Sequence, residues 1–416
     1  MKKNTGNYTV PEPAALDRRS LATNGTQEGP DARRAEPTKS EDIMNRLIIS
    51  FLFLLTVANA TAQEPEPKKQ PFILKGLYWV KTLIDSSAVS GVDRSYIEQP
   101  KRPWAVEVRT DASETTLKMH TDVDFGNDVM GNMRAVTRNG FSTSLGAWIG
   151  YRGYGLGWSK ELTGGDGTTF SLGATGGSFG INLRINSFRS RMPEFTFTAD
   201  NHGQPYKERF HDEIDDPIKV RSLFIDGYYL FNRKHFSYAA AYDQSLIQRR
   251  SAGSLMAGAM YHHCSADYSA DSNWGWVYYM KGVGKLKFTQ ANIGVGYAYN
   301  WVPARGWLVN ILAMPTLALY NRTTLYEYTI YYDSDKETVE EALNDPDTIY
   351  ELEEETTIKT PNKVTWNFDA RLAVVYNWQR SYLRVYGHFN RFTYGSDVTW
   401  GRLYDWKVYA ALGIRF

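Results

Sequence analysis

The sequence predicts an all-β protein: a transmembrane, antiparallel, up-and-down barrel of about twelve strands with a short N-terminal helix ahead of it. Three observations carry this expectation. Segments of ten or more residues alternate apolar and polar, a secretory leader precedes them, and the last such segment ends on Phe416. Composition agrees. Among 416 residues there are 28 Tyr, 19 Phe, 12 Trp and 34 Gly but one Cys, so many strands and turns are expected and no intrachain disulfide framework. The formal net charge of +1 offers no field for nucleic acid. A mean hydropathy of −0.45 argues against a polytopic helical membrane protein.

Residues 1–43 are polar, Pro-containing and without apolar periodicity, and read as a disordered extension. Met44-Asn45-Arg46 then opens an apolar run from Leu47 to Ala58, followed by the small-residue sites Ala58-Asn59-Ala60 and Ala60-Thr61-Ala62. A basic start, an apolar stretch too short to span and such a site make residues 44–62 a signal peptide. We therefore expect Met44 to be the true start and residues 1–43 to be a mis-annotated extension; the alternative is a genuine arm ahead of the signal. No Cys follows the apolar run, which argues against a lipoprotein anchor. Residues 63–103 form a Pro/Lys/Glu-rich linker and a short helix, because Ile73, Leu77, Val80 and Ile84 recur at helical spacing. That helix could pack on the barrel end or dock a partner; burial is the usual fate of an amphipathic helix.

From residue 104 to 416 the pattern has period two. Trp366, Phe368, Ala370, Leu372 and Val374 share one face, while Asn367, Asp369 and Arg371 share the other. Leu383, Val385 and Phe389 oppose Arg384, Tyr386, His388 and Asn390; Ile181, Leu183 and Ile185 oppose Asn182, Arg184 and Asn186. A soluble sandwich also alternates, burying its apolar face on a second sheet. The leader and the final segment decide for the barrel, since in lipid every amide must be paired and strands cross only as a closed sheet. Strands are expected at 104–121, 141–151, 153–161, 168–174, 178–188, 218–231, 251–262, 286–301, 306–320, 364–376, 380–392 and 404–416. An even number puts both ends on the periplasmic side. By that parity the turns near Gly176-Gly177, Pro303–Gly306 and Trp378 are periplasmic and short. Segments 189–217, 263–285 and 321–363 are long and external. Residues 232–250 break the rule: a periplasmic connection of about twenty residues. Trp148, Trp301, Trp307, Trp378, Trp400 and Trp406 lie near strand ends and suit aromatic girdles.

The run Tyr228-Tyr229-Leu230-Phe231-Asn232-Arg233-Lys234-His235-Phe236-Ser237-Tyr238, continuing through Ala241-Tyr242-Asp243-Gln244 to Gln248-Arg249-Arg250, resembles a Bacteroidetes-type outer-membrane barrel family filed as domain of unknown function 4421. Gly91-Val92-Asp93, Tyr96-Ile97, Gly155-Leu156-Gly157-Trp158 and Tyr299-Asn300-Trp301-Val302 fit it too, so the resemblance spans residues 91–416. Ala239 stands where relatives usually carry Pro. The resemblance implies a Gram-negative outer-membrane location and no activity.

Candidate lumen-lining residues on the inward phase are Glu107, Arg109, Arg184, Asp369, Arg371, Arg384, His388 and Lys407, with Arg415 beyond them. They could form a charged channel wall of mild anion preference, or interlocked pairs filling a narrow barrel. Within 232–250, Arg233, Lys234, Gln244, Gln248, Arg249 and Arg250 mark a possible plug or gate; the alternative is a structured cap on the rim. His262-His263-Cys264 offers two ligands on one strand face, too few for a metal site, so no metal or cofactor is expected. His388 has no evident Ser partner, which leaves a lipid hydrolase as a trailing reading and no catalytic residue assigned. The Glu-rich stretch near 333–355 is a solvated charge run or, alternatively, a cation-bridged contact with lipopolysaccharide.

The expected function is thus a narrow, porin-like channel for small solutes. The alternatives are a non-conducting structural or surface-binding barrel and, third, a lipid-modifying enzyme. A channel requires a continuous water path past the inward charges; a structural barrel pairs them and closes the lumen. Expected partners are outer-membrane lipid, lipopolysaccharide and the barrel insertion machinery, reached through the strand ending at Phe416, with the protein itself a monomer.

Overall fold

The computed structural model describes Lys2–Lys3 and residues 91–416, apart from 125–129, 139–140, 165, 191–193, 202–203, 212–215, 281, 334–347 and 396–398. The expected signal peptide and the helix over 71–84 lie outside the described residues.

Twelve strands form the barrel: β1 (Trp104–Asp124), β2 (Ser142–Tyr151), β3 (Tyr154–Thr163), β4 (Thr168–Thr175), β5 (Phe179–Ser190), β6 (Ile218–Leu230), β7 (Ala252–Asp267), β8 (Val283–Trp301), β9 (Trp307–Asp333), β10 (Thr365–Trp378), β11 (Ser381–Gly395) and β12 (Thr399–Arg415). Each pairs antiparallel with its sequence neighbour, and β12 returns to β1 in a register running from Thr399 opposite Thr121 to Arg415 opposite Ala105. Two further bonds between Trp104 and Phe416 finish the seam at 3.2 and 3.0 Å. Closure matters physically because it leaves the barrel without a free edge strand.

The alternation now has a geometric meaning. On β12, Leu403, Asp405, Lys407, Tyr409, Ala411 and Arg415 point inward and are buried, while Val408, Leu412, Ile414 and Phe416 remain exposed. The same split leaves Val108, Leu145, Ile149, Ile181, Leu255, Ile293, Val295, Ile311, Leu372, Leu383 and Val385 exposed on the outer surface. So much apolar surface turned outward all around a sheet suits hydrocarbon, not water. Trp301, Trp307, Trp378 and Trp366 are exposed near strand ends, and Trp406 packs with Phe141 at 6.3 Å between ring centres. Trp148 is a correction. It falls on the inward phase of β2, and its ring covers the α-carbons of Gly150 and Gly155, so it belongs to the interior and not to a girdle.

Both termini of the barrel lie at one end, with the short turns; we call it the terminal end and the opposite one the far end. The Arg152-Gly153 turn shows why some connections are so short: both residues have positive φ, 46° and 94°, the combination that matches strand twist in a two-residue hairpin.

At the far end the long segments are not irregular loops. β1 continues past the barrel to pair with Met130–Arg138, which in turn pairs with the hairpin Glu194–Asn201 and Gln204–His211. β9 continues to pair with Ile349–Lys359. Sequences such as Glu194-Phe-Thr-Phe-Thr and Tyr326-Glu-Tyr-Thr-Ile-Tyr-Tyr are rich in β-formers, so pairing runs on after the barrel wall ends. Trp274 stacks on Tyr350 at 3.9 Å, tying the short helix Trp274–Tyr279 to the second ribbon.

Candidate functional site

The lumen is filled in three layers, each traceable to inward positions on specific strands. In the far-end layer, Phe224 of β6 meets Phe392 of β11 at 5.8 Å across the barrel. His262 of β7 stacks on Phe392 at 4.5 Å, and Phe288 of β8 meets Tyr394 at 4.4 Å. Leu286, Leu403, Met260 and Cys264 complete this apolar plate. His262 is hydrogen-bonded to Tyr394 and to Ser222, while His263 turns away to Thr289; the two histidines are thus on opposite faces.

The middle layer is ionic. Arg384 on β11 meets Glu107 on β1 at 2.5 Å, and Tyr382 donates to the other carboxylate oxygen at 2.9 Å. Arg371 on β10 bridges Asp369 at 3.0 Å and Asp226 at 3.2 Å, with Asn182 donating to Asp226. Arg184 on β5 reaches the opposite wall, meeting Asp405 on β12 at 3.0 Å and the His388 ring on β11. Lys407 pairs with Asp111 at 3.0 Å, to which Ser144 also donates. Arg109 donates to Ser171 at 3.3 Å and lies over the Tyr409 ring. Glu107, Arg109, Arg184, Asp369, Arg371, Arg384, His388 and Lys407 therefore sit in this layer, while Arg415 lies nearer the strand ends, against Gln244. Asp111, Asp226 and Asp405, which complete the pairs, were missed, although each sits on the inward phase of its strand. His388 faces Arg184 and Asp405, so its neighbours are a cation and a carboxylate, not a nucleophilic Ser.

The terminal-end layer is residues 232–250, which fold into the barrel mouth. A helical turn, α1 (Ala239–Tyr242), lies against Leu308, Ala373 and Val375; three successive alanines keep it thin enough to fit. Its polar contacts reach five strands. Asn300 on β8 donates to the Ser237 carbonyl at 2.8 Å, and Tyr242 donates to Asn310 on β9 at 2.6 Å. Arg371 donates to the Tyr238 hydroxyl and Arg384 to the Tyr242 carbonyl. Arg415 on β12 donates twice to Gln244, each at 3.1 Å. Gln248 is buried and receives Asn300 and the Ser237 amide. The four basic residues of this segment lie at the rim instead. Arg249 pairs with Glu98 at 2.5 Å, Arg250 covers Tyr96, Arg233 donates to Ser178, and the Lys234 carbonyl accepts from the Asp93 amide. There the strand pair Ile97–Glu98 with Ile247–Gln248 fastens residues 91–98 over the segment. Tyr238 and Tyr242, which join the segment to the middle layer, carried no sequence signal beyond their place in the run.

Because Asn310 is fully buried, losing the Tyr242 hydroxyl strands its carbonyl. Tyr242→Phe is expected to lower barrel stability by about 1–3 kcal/mol, read from urea unfolding in lipid vesicles; an unchanged midpoint would place that bond outside the energetics.

The profile of one protein family matches residues 92–412, over three quarters of the chain. The chain belongs to the family described as Domain of unknown function (DUF4421). No curated protein matches the sequence. Among solved structures, the outer membrane protease OmpT from Escherichia coli is similar over 77% of this chain and 98% of its own, at 9% identity and a TM-score of 0.33. The beta domain of the Bordetella autotransporter BrkA is similar over 76% and 100%, at 11% identity and a TM-score of 0.30. An outer membrane channel from Pseudomonas putida F1 follows, over 77% and 98%, at 8% identity and a TM-score of 0.28. These are likenesses of fold, and nothing about the activity of this DUF4421 barrel follows from them.

Proposed function

We propose that this DUF4421 protein is a monomeric outer-membrane barrel of a Gram-negative, Bacteroidetes-type bacterium that keeps its lumen shut. It serves as a structural or surface-presenting barrel and not as an open pore. The observation that carries this reading is contact across the lumen: Arg184 touches Asp405 and Phe224 touches Phe392, each pair on opposing walls. Side chains that meet in the middle leave no continuous water path, and pairing of the inward charges is what a filled barrel requires. The outward apolar belt and the even strand number support the membrane setting, with the terminal end periplasmic and the ribbons outside. Lipid and lipopolysaccharide would contact the belt and the ribbons, and the insertion machinery would take the β12 strand ending at Phe416.

A second reading has its own support. The plug of residues 232–250 is seated largely through polar contacts, with Gln244 and Gln248 inside and Arg233, Lys234, Arg249 and Arg250 at the rim, an arrangement that exchange with water could release. That would make the barrel a gated channel for small solutes, with Arg371 and Arg384 on its wall.

Planar-bilayer recording separates the two. The closed barrel is expected to stay silent both intact and with residues 232–250 replaced by a short turn, because the far-end apolar plate remains. Steps from the intact protein would overturn the closed reading, and steps from the deletion alone would establish the gated channel.

A further inference from the structure

Between the plug and the β1–β5 wall lies a cavity of about 130 Å³, bounded by Gly153 and Thr175 toward the terminal end and by Asn390 and His388 toward the middle of the barrel. Four guanidinium groups line it, those of Arg109, Arg184, Arg371 and Arg384. Three of them are committed to carboxylates: Arg184 to Asp405, Arg371 to Asp226 and Asp369, and Arg384 to Glu107. Arg109 is not. It is 4% exposed, forms no ion pair among the described residues, and its Nε has no hydrogen-bond partner. The Nε atoms of Arg184 and Arg384 are also without partners. Arg109, Arg184 and Arg384 thus border one cavity, and of the three Arg109 alone lacks a carboxylate partner among the described residues.

The wall is shaped to hold Arg109 there. A Cβ at position 157 would come within 2.3 Å of the Arg109 guanidinium as it stands, so the glycine leaves room for the group beside β3, where it donates to Ser171. The plug contributes one carboxyl to the lining, Asp243, whose Oδ1 accepts from the Ser245 amide; it makes no ion pair with Arg109. A buried cation without a counter-charge is costly, and the planar guanidinium is the group best matched to a small oxyanion.

We propose that this cavity is a binding site for a small oxyanion, a carboxylate or inorganic phosphate, held chiefly by Arg109, with the paired guanidinium groups of Arg184 and Arg384 adding positive charge on the same lining. The volume admits a molecule of a few heavy atoms, and Trp148 and Tyr409 beside Arg109 supply apolar walls for one that carries a short organic group. This goes beyond the closed-barrel reading and does not depend on conduction: a silent barrel with a terminal-end pocket and a gated channel could each hold the anion.

The test is isothermal titration of the full chain, folded in detergent micelles, with sodium acetate and with sodium phosphate in separate runs. Saturable one-site binding of acetate alone identifies a carboxylate site, of phosphate alone a phosphate site, and of both a general oxyanion site. Arg109→Gln is expected to weaken that binding at least about tenfold, the loss of one charge-assisted contact. Ser171→Ala, which keeps the cation but frees it, should weaken it by a smaller factor, and Arg189→Gln, on an exposed side chain, should leave it unchanged. Heat-modifiable gel mobility checks that each variant is folded; should Arg109→Gln not fold, Ser171→Ala decides. No saturable binding of either anion up to about 50 mM, a millimolar-range ceiling on affinity, would overturn the proposal. So would a dissociation constant unmoved by the deciding variant.

Discussion

Replacing Glu107 by Ala is expected to cost the barrel about 3–5 kcal/mol, measured as urea unfolding in lipid vesicles. Glu107 is 0% exposed and Arg384 1%, so neither charge can turn to bulk water when its partner is lost. The guanidinium would be left with the Tyr242 carbonyl and the Tyr386 ring, neither of which carries a compensating charge. Tyr382 loses its acceptor at the same time. The pair itself need not be a net source of stability, because desolvating two ions consumes most of what their attraction returns. The double replacement Glu107→Leu with Arg384→Met should therefore be much milder than Glu107→Ala alone. If the single change is as mild as the double, the ion pair is not the buried contact described here.

Leu372→Arg is the second large effect, and it tests the surroundings of the barrel instead of its interior. Leu372 stands at the middle of β10, 52% exposed, on the outward face between Asp369 and Val375 on the inward one. On a water-soluble surface such a change would be close to neutral. At the midplane of a bilayer it should cost about 2–4 kcal/mol, and the cost should fall toward zero for a comparable change near a strand end. Measuring Leu372→Arg against Trp378→Arg in lipid vesicles gives that depth profile; equal, small costs would remove the outer surface from contact with hydrocarbon.

Much of the architecture was legible from residues alone. Each expected strand appears, because period two over ten residues reports which face of a strand is apolar without any knowledge of its neighbours. The inward set that includes Arg184, Arg371, Arg384 and Lys407 follows from the same rule, since a one-residue slip would move all of them outward. The rule also covers Asp111, Asp226 and Asp405 and puts Trp148 inside, where a ring near a strand end otherwise suits a girdle. The far-end ribbons were harder. Short segments such as Glu194–Asn201, only eight residues long and mixed in polarity, do not separate cleanly from loop by period alone.

Three things were determined by the sequence by itself: the alternating faces, the even number of crossings, and the singular length of residues 232–250. These are local properties, set by the pleat of the strand and by the length of each connection. Only the tertiary structure decided which inward groups meet. Glu107 and Arg384 are separated by 277 positions, and Arg184 and Asp405 by 221, so their contact depends on how the closed sheet staggers its strands. Stagger leaves no mark on a single strand's pattern, because any even shift keeps the same residues inward. The same holds for the plug. Its length announced an exception, but whether it capped the rim or entered the mouth depended on Asn300, Asn310, Arg371 and Arg415 standing where four different strands bring them together.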